Sequence, residues 1–177
     1  MQRWWKAPPE IDAEIREQFG PWLDELRGSA GHAWTETPRG SLARVILLDQ
    51  VSRVVHRGTG RAWENDAAAR AVVRAVLDAG WDSQLQLIER QFLLMPLMHS
   101  EDRADHELAE RQFTRLAEDA AAAGSVRADS YAGTTDYERK HRAIVDRFGR
   151  YPHRNALLGR QSTPEEEVFL KEPGSSF

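Results

Sequence analysis

Apolar residues recur at every third or fourth position along almost the whole chain, and this spacing constrains the fold more than any other feature. One run of it consists of Ile11, Ile15, Phe19, Trp22 and Leu26. Such spacing is typical of an amphipathic helix that buries one face. No segment shows the alternation of apolar and polar residues that a half-buried strand requires. The sequence therefore predicts an all-α fold.

Helix-breaking residues set the expected bounds of the helices. Gly20–Pro21 predicts a kink or break in the first helix, and Pro96 predicts the end of the fourth. The predicted helices after the first cover roughly residues 41–55, 62–77, 83–94, 102–123, 135–148 and 163–170. Because helices of this length joined by short loops become antiparallel neighbours, we expect an antiparallel array of about seven helices.

Two of these helices begin at a capping box. Thr135 with Glu138, and Thr163 with Glu166, each have the spacing at which the two side chains bond each other's main-chain N–H groups. Pro164, at the first position of the last helix, strengthens the second box. The tail at residues 172–177 is expected to fray.

Composition indicates one soluble domain that spans residues 1–177. Apolar residues make up 41% and charged residues 29% of the 177 residues. The chain contains no cysteine, which excludes disulfides, thiolate nucleophiles and thiolate metal sites. The apolar runs at 45–48 and 92–98 are far shorter than the roughly 20 residues of a membrane span. Since the N-terminus also lacks a secretion signal, we expect a cytoplasmic protein without membrane contact.

The first of three polar stretches, LLDQVSRVVHRGTG at 47–60, follows an apolar run. Asp49 and Arg53 are four residues apart on the predicted helix and can form an ion pair there, and Arg57 continues the same line. A carboxylate so close to an apolar run should be partly buried, where it needs a charged or hydrogen-bonding partner. The pair can be a structural staple or part of a pocket wall.

The second stretch, LLMPLMHSEDRADHE at 93–107, contains candidate proton carriers. His99 directly follows an apolar run, and Glu101 and Asp102 can complement the dipole of the next helix. The spacing of His99, Asp102 and His106 would also suit a first-row metal ion if His99 were helical. This metal site is a weak alternative because the pattern has low specificity.

The third stretch, RFGRYPHRN at 147–155, lies in a strongly basic region. Residues 139–160 contain seven Lys or Arg and one acid, Asp146, whereas the whole chain has a net charge of −4. Gly149 can stop a helix, and Pro152 restricts the backbone. Arginine suits carboxylate or phosphate, and His141 and His153 titrate near neutral pH. The region is either an anion-recognising site or a solvated face paired with acidic helices; because no nucleic-acid motif is present, we expect no nucleic-acid binding.

The three stretches together resemble a bacterial family catalogued as domain of unknown function 924. The matching segments are SLARVILLDQVSRVVHRGTGRAWENDAAA, RQFLLMPLMHSED and KHRAIVDRFGRYPHRNALLGRQSTPEEEVFL. The resemblance implies an all-helical, tetratricopeptide-like superhelix and no established activity. The family pattern maps onto Asp49, Gln50, Arg53, Arg57, Gly58, Asp66, Pro96, His99, Ser100, Glu101, His141, Arg147, Gly149, Arg150, Pro152, His153, Arg154, Asn155, Gly159 and Arg160.

The chain departs from this family at a few positions. Val54 stands where asparagine is usual, His56 where an aromatic residue is usual, and His106 where glutamine is common. A Phe-Trp-Phe-Gly-like stretch that is common at the start of relatives is missing upstream of Trp4. We therefore expect a pocket with an altered lining, or one that is less closed on its N-terminal side.

Together, these observations predict one polar pocket that binds an anionic small molecule through its phosphate or carboxylate group. The predicted ligand-binding residues are Asp49, Arg53, Arg57, His141, Arg147, Arg150, Arg154, Asn155 and Arg160. His99 and His153 are candidates for proton transfer, with Glu101 or Asp49 orienting one of them. No nucleophile and no cofactor is evident, and the oligomeric state is left open. The alternative is a tetratricopeptide-like interaction module that binds an acidic peptide or partner protein.

Overall fold

The computed structural model describes residues 9–26 and 29–176. Within these ranges all regular structure is helical and no strand occurs, which confirms the all-α prediction. The helices are α1 (Pro9–Leu26), α2 (Pro38–Ile46), α3 (Ser52–Val55), α4 (Asp66–Asp78), α5 (Leu87–Met98), α6 (Arg103–Ala122), α7 (Ala128–Phe148) and α8 (Pro164–Phe169). A π-helical turn (Leu47–Val51) joins α2 and α3 into one continuous run. Counted as one, this run makes seven helices in the described ranges.

Tertiary contacts divide the chain into two compact units, one up to Pro96 and one from Leu97 onward, called here the first and second unit. Shorter 3₁₀ segments complete the secondary structure: Ser29–Glu36, Gly60–Trp63 and Trp81–Gln84 in the first unit and Pro152–Arg154 in the second. The single domain and the superhelical arrangement stay predictions. In the described part of the chain, no helix is long and apolar enough to cross a membrane.

The core of the first unit forms where α1 meets the run from α2 to α3. Its buried members are Ile15, Leu23, Leu26, Leu47, Leu48, Val51, Val54 and Ala69. The start of α2 approaches the preceding 3₁₀ segment so closely that a Cβ atom on Gly40 would lie 2.2 Å from the main-chain oxygen of Trp34. Glycine is therefore required at this position.

The second unit is built on α6 and α7, which pack against each other. α6 buries Phe113 and Leu116, and α7 buries Ile144 and Val145. Beyond α7 the chain folds back, so that Tyr151 and Phe169 pack against Ile144 and Val145 in a second cluster. These apolar contacts hold residues 151–170 against α7.

The capping box predicted at Thr135 and Glu138 is wrong. α7 begins at Ala128, so both residues lie inside this helix, and both are buried. The Glu138 carboxylate bonds His106 of α6 instead of a main-chain N–H group. The spacing of Thr135 and Glu138 resembles a capping box, but Glu138 makes a contact between α6 and α7 instead.

The helix end predicted at Pro96 is wrong, because Pro96 lies inside α5. Of the kink or break predicted at Gly20–Pro21, the break is wrong, because Pro21 lies inside α1, and the kink stays a prediction. A proline inside a helix removes one hydrogen bond, at a cost of about 3 kcal/mol. In each helix a leucine within two residues after the proline is buried, Leu23 in α1 and Leu97 in α5. Burial of these side chains offsets the cost, so that each helix continues past its proline.

The local signals around residues 149–170 are confirmed. Gly149 ends α7 with a φ of 68°, in the left-handed region that glycine tolerates. Thr163 and Glu166 form the predicted capping box at the start of α8. Of the tail predicted to fray, Ser175 is buried and donates to the main-chain oxygen of Leu170. The departure expected upstream of Trp4 lies outside the described residues.

Candidate functional site

The predicted site residues fall into both units, and each unit builds a polar cluster of its own. Asp49, Arg53 and Arg57 belong to the first unit, and all the other predicted site residues belong to the second. The Arg53 cluster is defined as Asp49, Arg53 and Asp66. The Tyr151 cluster is defined as His99, Glu101, His141, Tyr151, His153, Arg154 and Arg160. Whether the first stretch shares one pocket with the other two stays a prediction.

In the Arg53 cluster, two carboxylates hold one guanidinium. Arg53 Nη1 lies 2.9 Å from Asp49 Oδ1, in the predicted pairing four residues apart. Arg53 Nη1 and Nη2 also donate to Asp66 Oδ1 and Oδ2 at 3.0 and 3.1 Å. Asp49 is 0% exposed and Asp66 is buried. Such a fork of parallel bonds is a geometrically specific pairing between arginine and a carboxylate.

The π-helical turn explains how Asp49 comes to be buried. The turn covers Leu47–Val51, and all of its residues are buried. A π-turn shifts the side chains that follow around the helix axis, and such turns are frequent at functional sites. The Asp49 carboxylate also accepts a hydrogen bond from Gln50, and Asn65 donates to Ser52 Oγ at 3.2 Å. A hydrogen bond between buried side chains thus links Ser52, directly after the π-turn, to Asn65, directly before α4.

Arg57 and the neighbouring family departures have separate surroundings. Arg57 is exposed and donates to both oxygens of Asp12 on α1 at 2.8 and 3.3 Å. Val54 is buried in the apolar core of the first unit. His56 lies 3.6 Å from Glu64. These residues therefore serve packing and ion pairing between helices of the first unit.

In the second unit, the fully buried Tyr151 is the centre of the polar cluster. Its hydroxyl donates to the main-chain oxygen of Met98 at 2.6 Å, and its N–H donates to Glu101 Oε1 at 2.8 Å. Arg160 Nη2 donates to the Tyr151 carbonyl at 3.2 Å. Gly149 and Pro152 on either side give Tyr151 the extended conformation that the sequence predicted, with φ −92° and ψ 105°.

Glu101 is held as a carboxylate by two neighbours. Arg160 donates from Nη1 and Nη2 to Oε2 and Oε1 at 2.6 and 2.9 Å. Burial would raise the pKa of Glu101, but the hydrogen bonds from Arg160 and from the Tyr151 N–H outweigh it and lower this pKa. Glu101 therefore fixes the Tyr151 turn and is unsuited to donating a proton at neutral pH.

His141, His153 and Arg154 lie around the Tyr151 ring, and His99 lies next to His141. The ring centroid of His99 lies 6.5 Å from that of His141, and the Tyr151 centroid lies 6.0 Å from His141 and 5.5 Å from His153. The Arg154 guanidinium stands 4.5 Å from the Tyr151 centroid and donates to the main-chain oxygen of His99 at 2.8 Å. The structure thus brings side chains of the second and third stretches into one cluster.

Two of these imidazoles are neutral at neutral pH. Burial lowers the pKa of His141 to about 3, and electrostatic interactions with His99, His106 and Arg154 contribute to this shift. Burial and then the charge of Arg154 lower the pKa of His153 to about 4. Because the Tyr137 carbonyl can only accept, His141 Nδ1, at 2.9 Å from it, carries the ring proton. Nε2 of His141 is then a hydrogen-bond acceptor.

His106 belongs to a buried pair and not to the weak alternative metal site. Its Nδ1 lies 2.7 Å from Glu138 Oε1, and its Nε2 lies 2.8 Å from the Ser100 carbonyl. Burial raises the pKa of Glu138, although the bond to His106 opposes this. Asp102 caps α6, which begins only at Arg103, so that His99 is not on the helix. The structure thus leaves His99, Asp102 and His106 unassembled, and in the described ranges no group of three or more His, Asp or Glu is placed to hold a metal ion.

Most of the basic region is paired with protein acceptors. Arg147 donates to Glu165 at 2.9 Å, and Arg150 donates to both oxygens of Glu166 at 2.7 and 2.8 Å. The bonds from Arg150 lower the pKa of Glu166 to about 2. The remaining arginines of residues 139–160 have these partners: Arg139 and Arg142 bond Glu110, Arg154 bonds the His99 carbonyl, and Arg160 bonds Glu101. The interpretation as a face paired with acids therefore accounts for much of the positive charge.

An open groove of about 430 Å³ lies elsewhere in the second unit. Its lining residues are Glu107, Glu110, Arg111, Thr114, Arg115, Glu118 and Arg142. They mix both signs of charge and include none of the predicted site residues. The Tyr151 cluster is the better candidate, because it combines buried cations, neutral imidazoles and a constrained turn.

Reasoning from individual residues missed Tyr151, Asp66 and Glu138. Tyr151 stands between Gly149 and Pro152, and an aromatic residue between two backbone constraints was a usable signal. Asp66 belongs to the family pattern but was given no role. Glu138 carried only the misleading signal of a capping box, because its true partner lies 32 residues away.

The fold and these clusters define a class of all-helical proteins with buried arginine and histidine networks, and sequence comparison identifies the family. The model of a family described as bacterial proteins of unknown function, domain of unknown function 924, matches residues 1–174, and the chain belongs to this family. The resemblance predicted from the sequence is confirmed. A protein of unknown function from Agrobacterium tumefaciens has a similar structure, with 29% identity and a TM-score of 0.77 over 96% of this chain and 89% of that one. Among curated proteins the comparison finds no match.

Proposed function

We propose that the Tyr151 cluster binds the phosphate or carboxylate group of an anionic small molecule. The observation that carries this proposal is the Arg154 guanidinium, which stands 4.5 Å from the centroid of the Tyr151 ring that His141 and His153 also flank. Burial is the main cause of the low pKa of His141 and His153, Arg154 lowers both further, and the hydrogen bond from Arg154 to the His99 carbonyl supplies no negative charge. A buried positive potential beside neutral hydrogen-bonding rings favours an anionic ligand.

The cluster combines buried and partly exposed groups that could contact such a ligand. Tyr151, His141 and Arg154 are the buried ones. His99 and His153 are half-buried, and the Arg160 side chain is 25% exposed. These partly exposed groups can meet a ligand from solvent. Arg147 and Arg150 are left out of the proposed binding residues, because their partners lie on α8.

The protonation states favour binding over proton transfer. An efficient general base has a pKa near the working pH. A pKa of about 4 makes His153 a weak base at neutral pH. A bound anion would oppose the effect of Arg154 and raise the pKa of both His141 and His153. Anion affinity should therefore increase as the pH falls, with protons taken up on binding.

Thermal-shift measurements with inorganic phosphate, acetate and an acidic peptide test the proposal. A ligand that binds the folded state raises the apparent stability by mass action. We expect phosphate or acetate to stabilise the parent protein, with affinity reduced about tenfold in Arg160→Gln, which removes a charged donor. Arg147→Gln is the matched control, because Arg147 is an exposed arginine of the same segment, and it should keep the parental affinity.

The outcomes separate the two functions predicted from the sequence. A stabilisation that is unchanged in both Arg160→Gln and His153→Gln would overturn the proposed site. A response to the acidic peptide alone would replace it with the interaction module. The second variant keeps the test valid if Arg160→Gln does not fold, since His153 is not paired with Glu101.

A further inference from the structure

The turn that follows Tyr151 contains buried polar side-chain atoms that have no hydrogen-bond partner among the described residues. They are His153 Nδ1, Asn155 Oδ1 and Arg160 Nε. Two of them, Asn155 Oδ1 and Arg160 Nε, belong to residues whose other polar atoms are fully engaged in the fold. A buried polar atom without a partner is costly, and native proteins contain few of them.

The orientation of Asn155 follows from its neighbours. Its Nδ2 donates to Ser162 Oγ at 3.0 Å and to Glu166 Oε2 at 3.3 Å. Because Glu166 is a carboxylate and can only accept, the amide nitrogen must face it, and Oδ1 must point elsewhere. Asn155 is 2% exposed, so Oδ1 is a buried acceptor in a fixed direction.

Arg160, in the same turn, has a buried donor that is also left over. Its Nη atoms bond Glu101 and the Tyr151 carbonyl, which leaves Nε–H as the remaining donor. The main-chain N–H of Arg160 donates to the Asn155 carbonyl at 2.9 Å, so the two residues adjoin in one turn. His153, two residues before Asn155, is neutral at neutral pH and can present a ring nitrogen as an acceptor.

We infer that the anion bound at the Tyr151 cluster carries a hydroxyl group next to its charged group. A hydroxyl both donates and accepts, so it suits an acceptor such as Asn155 Oδ1 or His153 Nδ1 together with the donor Arg160 Nε. The ligand class is a hydroxylated anion, either a hydroxy acid or a phosphorylated polyol. This inference rests on the proposed anion-binding function and specifies its ligand.

Calorimetric titration with matched ligand pairs tests the inference. The pairs are glycerol 3-phosphate against propyl phosphate, and glycerate against propionate, so that each pair differs in its hydroxyl groups while the charged group is kept. We expect the hydroxylated member of one pair to bind roughly tenfold or more tightly, since its partner leaves buried groups unsatisfied. Which pair responds distinguishes a phosphate from a carboxylate as the charged group.

Variants assign the preference to the named atoms. His153→Phe and Asn155→Ala should each reduce the preference for the hydroxylated ligand, whereas Arg147→Gln should leave it intact. Equal affinity within both pairs would overturn the inference and leave the proposed function standing. No binding of any of the four anions would overturn the proposed function itself. A preference that survives both His153→Phe and Asn155→Ala would overturn the assignment to this turn.

Discussion

The Arg53 cluster and the Tyr151 cluster use the same residue type in different ways. Arg53 is held between the carboxylates of Asp49 and Asp66. Its Nη1 and Nη2 atoms donate to these two acids, and Nη1 also donates to the main-chain oxygen of Asp49. In the Tyr151 cluster, Arg160 is likewise paired with a carboxylate, Glu101, whereas Arg154 bonds the main-chain oxygen of His99. A carbonyl satisfies a donor without cancelling its charge.

This difference separates an arginine that holds the fold from one that can recognise a ligand. Acids around Arg53 compensate its charge, as a buried structural pair requires. In the Tyr151 cluster the Arg154 guanidinium lies beside buried rings, and it adds to the lowering of the pKa of His141 and His153 that burial mainly causes. Arg160 Nε of this cluster and the neighbouring Asn155 Oδ1 are buried and have no hydrogen-bond partner in the described part of the chain. The four predictions that follow test this contrast.

The largest effect is expected for Asp49→Ala. The substitution removes the hydrogen bonds that the Asp49 carboxylate accepts from Arg53 and Gln50, each worth about 1.5–3 kcal/mol because one partner is charged, so the free energy of unfolding should fall by about 3–5 kcal/mol. Urea unfolding monitored by circular dichroism measures this change. A loss below about 1 kcal/mol would show that Asp66 alone compensates Arg53 and that the contrast is overstated.

A smaller loss is expected for Glu138→Leu, which tests whether the buried pair with His106 supports the Tyr151 cluster. The substitution leaves His106 Nδ1 without a partner, at a cost of about 1–3 kcal/mol. Glu138→Gln is the conservative control, because its amide can still donate to Nδ1 and should cost less. Equal unfolding midpoints for the two variants would contradict this role of the pair.

Acidification should weaken the second unit through its histidines. The pKa values of His141 and His153 are about 3 and about 4 in the folded protein, against 6.5 ordinarily, so between pH 6.5 and 4.5 only the unfolded chain binds these protons. Stability is therefore fully present above pH 6.5 and falls by about 1.4 kcal/mol per pH unit for each histidine.

Urea midpoints at pH 6.5, 5.5 and 4.5 test this slope. The raised pKa of Glu138 acts in the opposite direction, but it acts equally in the parent protein and in His141→Phe. The variant should therefore show a slope that is shallower by the contribution of one histidine. Identical slopes for the parent and His141→Phe would rule out a neutral buried His141.

The smallest effect is expected for Asp12→Asn, which breaks the exposed pair with Arg57. Because exposed ion pairs contribute little, the free energy of unfolding should change by less than about 1 kcal/mol. Urea unfolding of the parent protein and the variant at several salt concentrations should show the largest difference in stability at low ionic strength, where screening is weakest. A loss as large as that of Asp49→Ala would mean that burial does not distinguish the two pairs.

The sequence predicted many residues of the candidate site, but not which of them contact each other. The spacing of Asp49 and Arg53 predicted their pairing, because four residues place two side chains on one helical face. The bonds of Glu101 to Arg160 and Tyr151 join residues that are 59 and 50 positions apart. No local pattern specifies such partners, since they depend on how the helices pack. For the same reason Glu138 looked like a capping residue.

The sequence by itself determined what depends on local backbone and side-chain periodicity. Helical spacing determined the all-α class, Gly149 and Pro152 determined the turn around Tyr151, and Thr163 determined the start of α8. Only the tertiary structure decided which arginines meet acids and which meet carbonyls, and which histidines are neutral. These properties depend on burial and on contacts between distant segments, and the same RFGRYPHRN stretch could otherwise have been an ordinary basic surface.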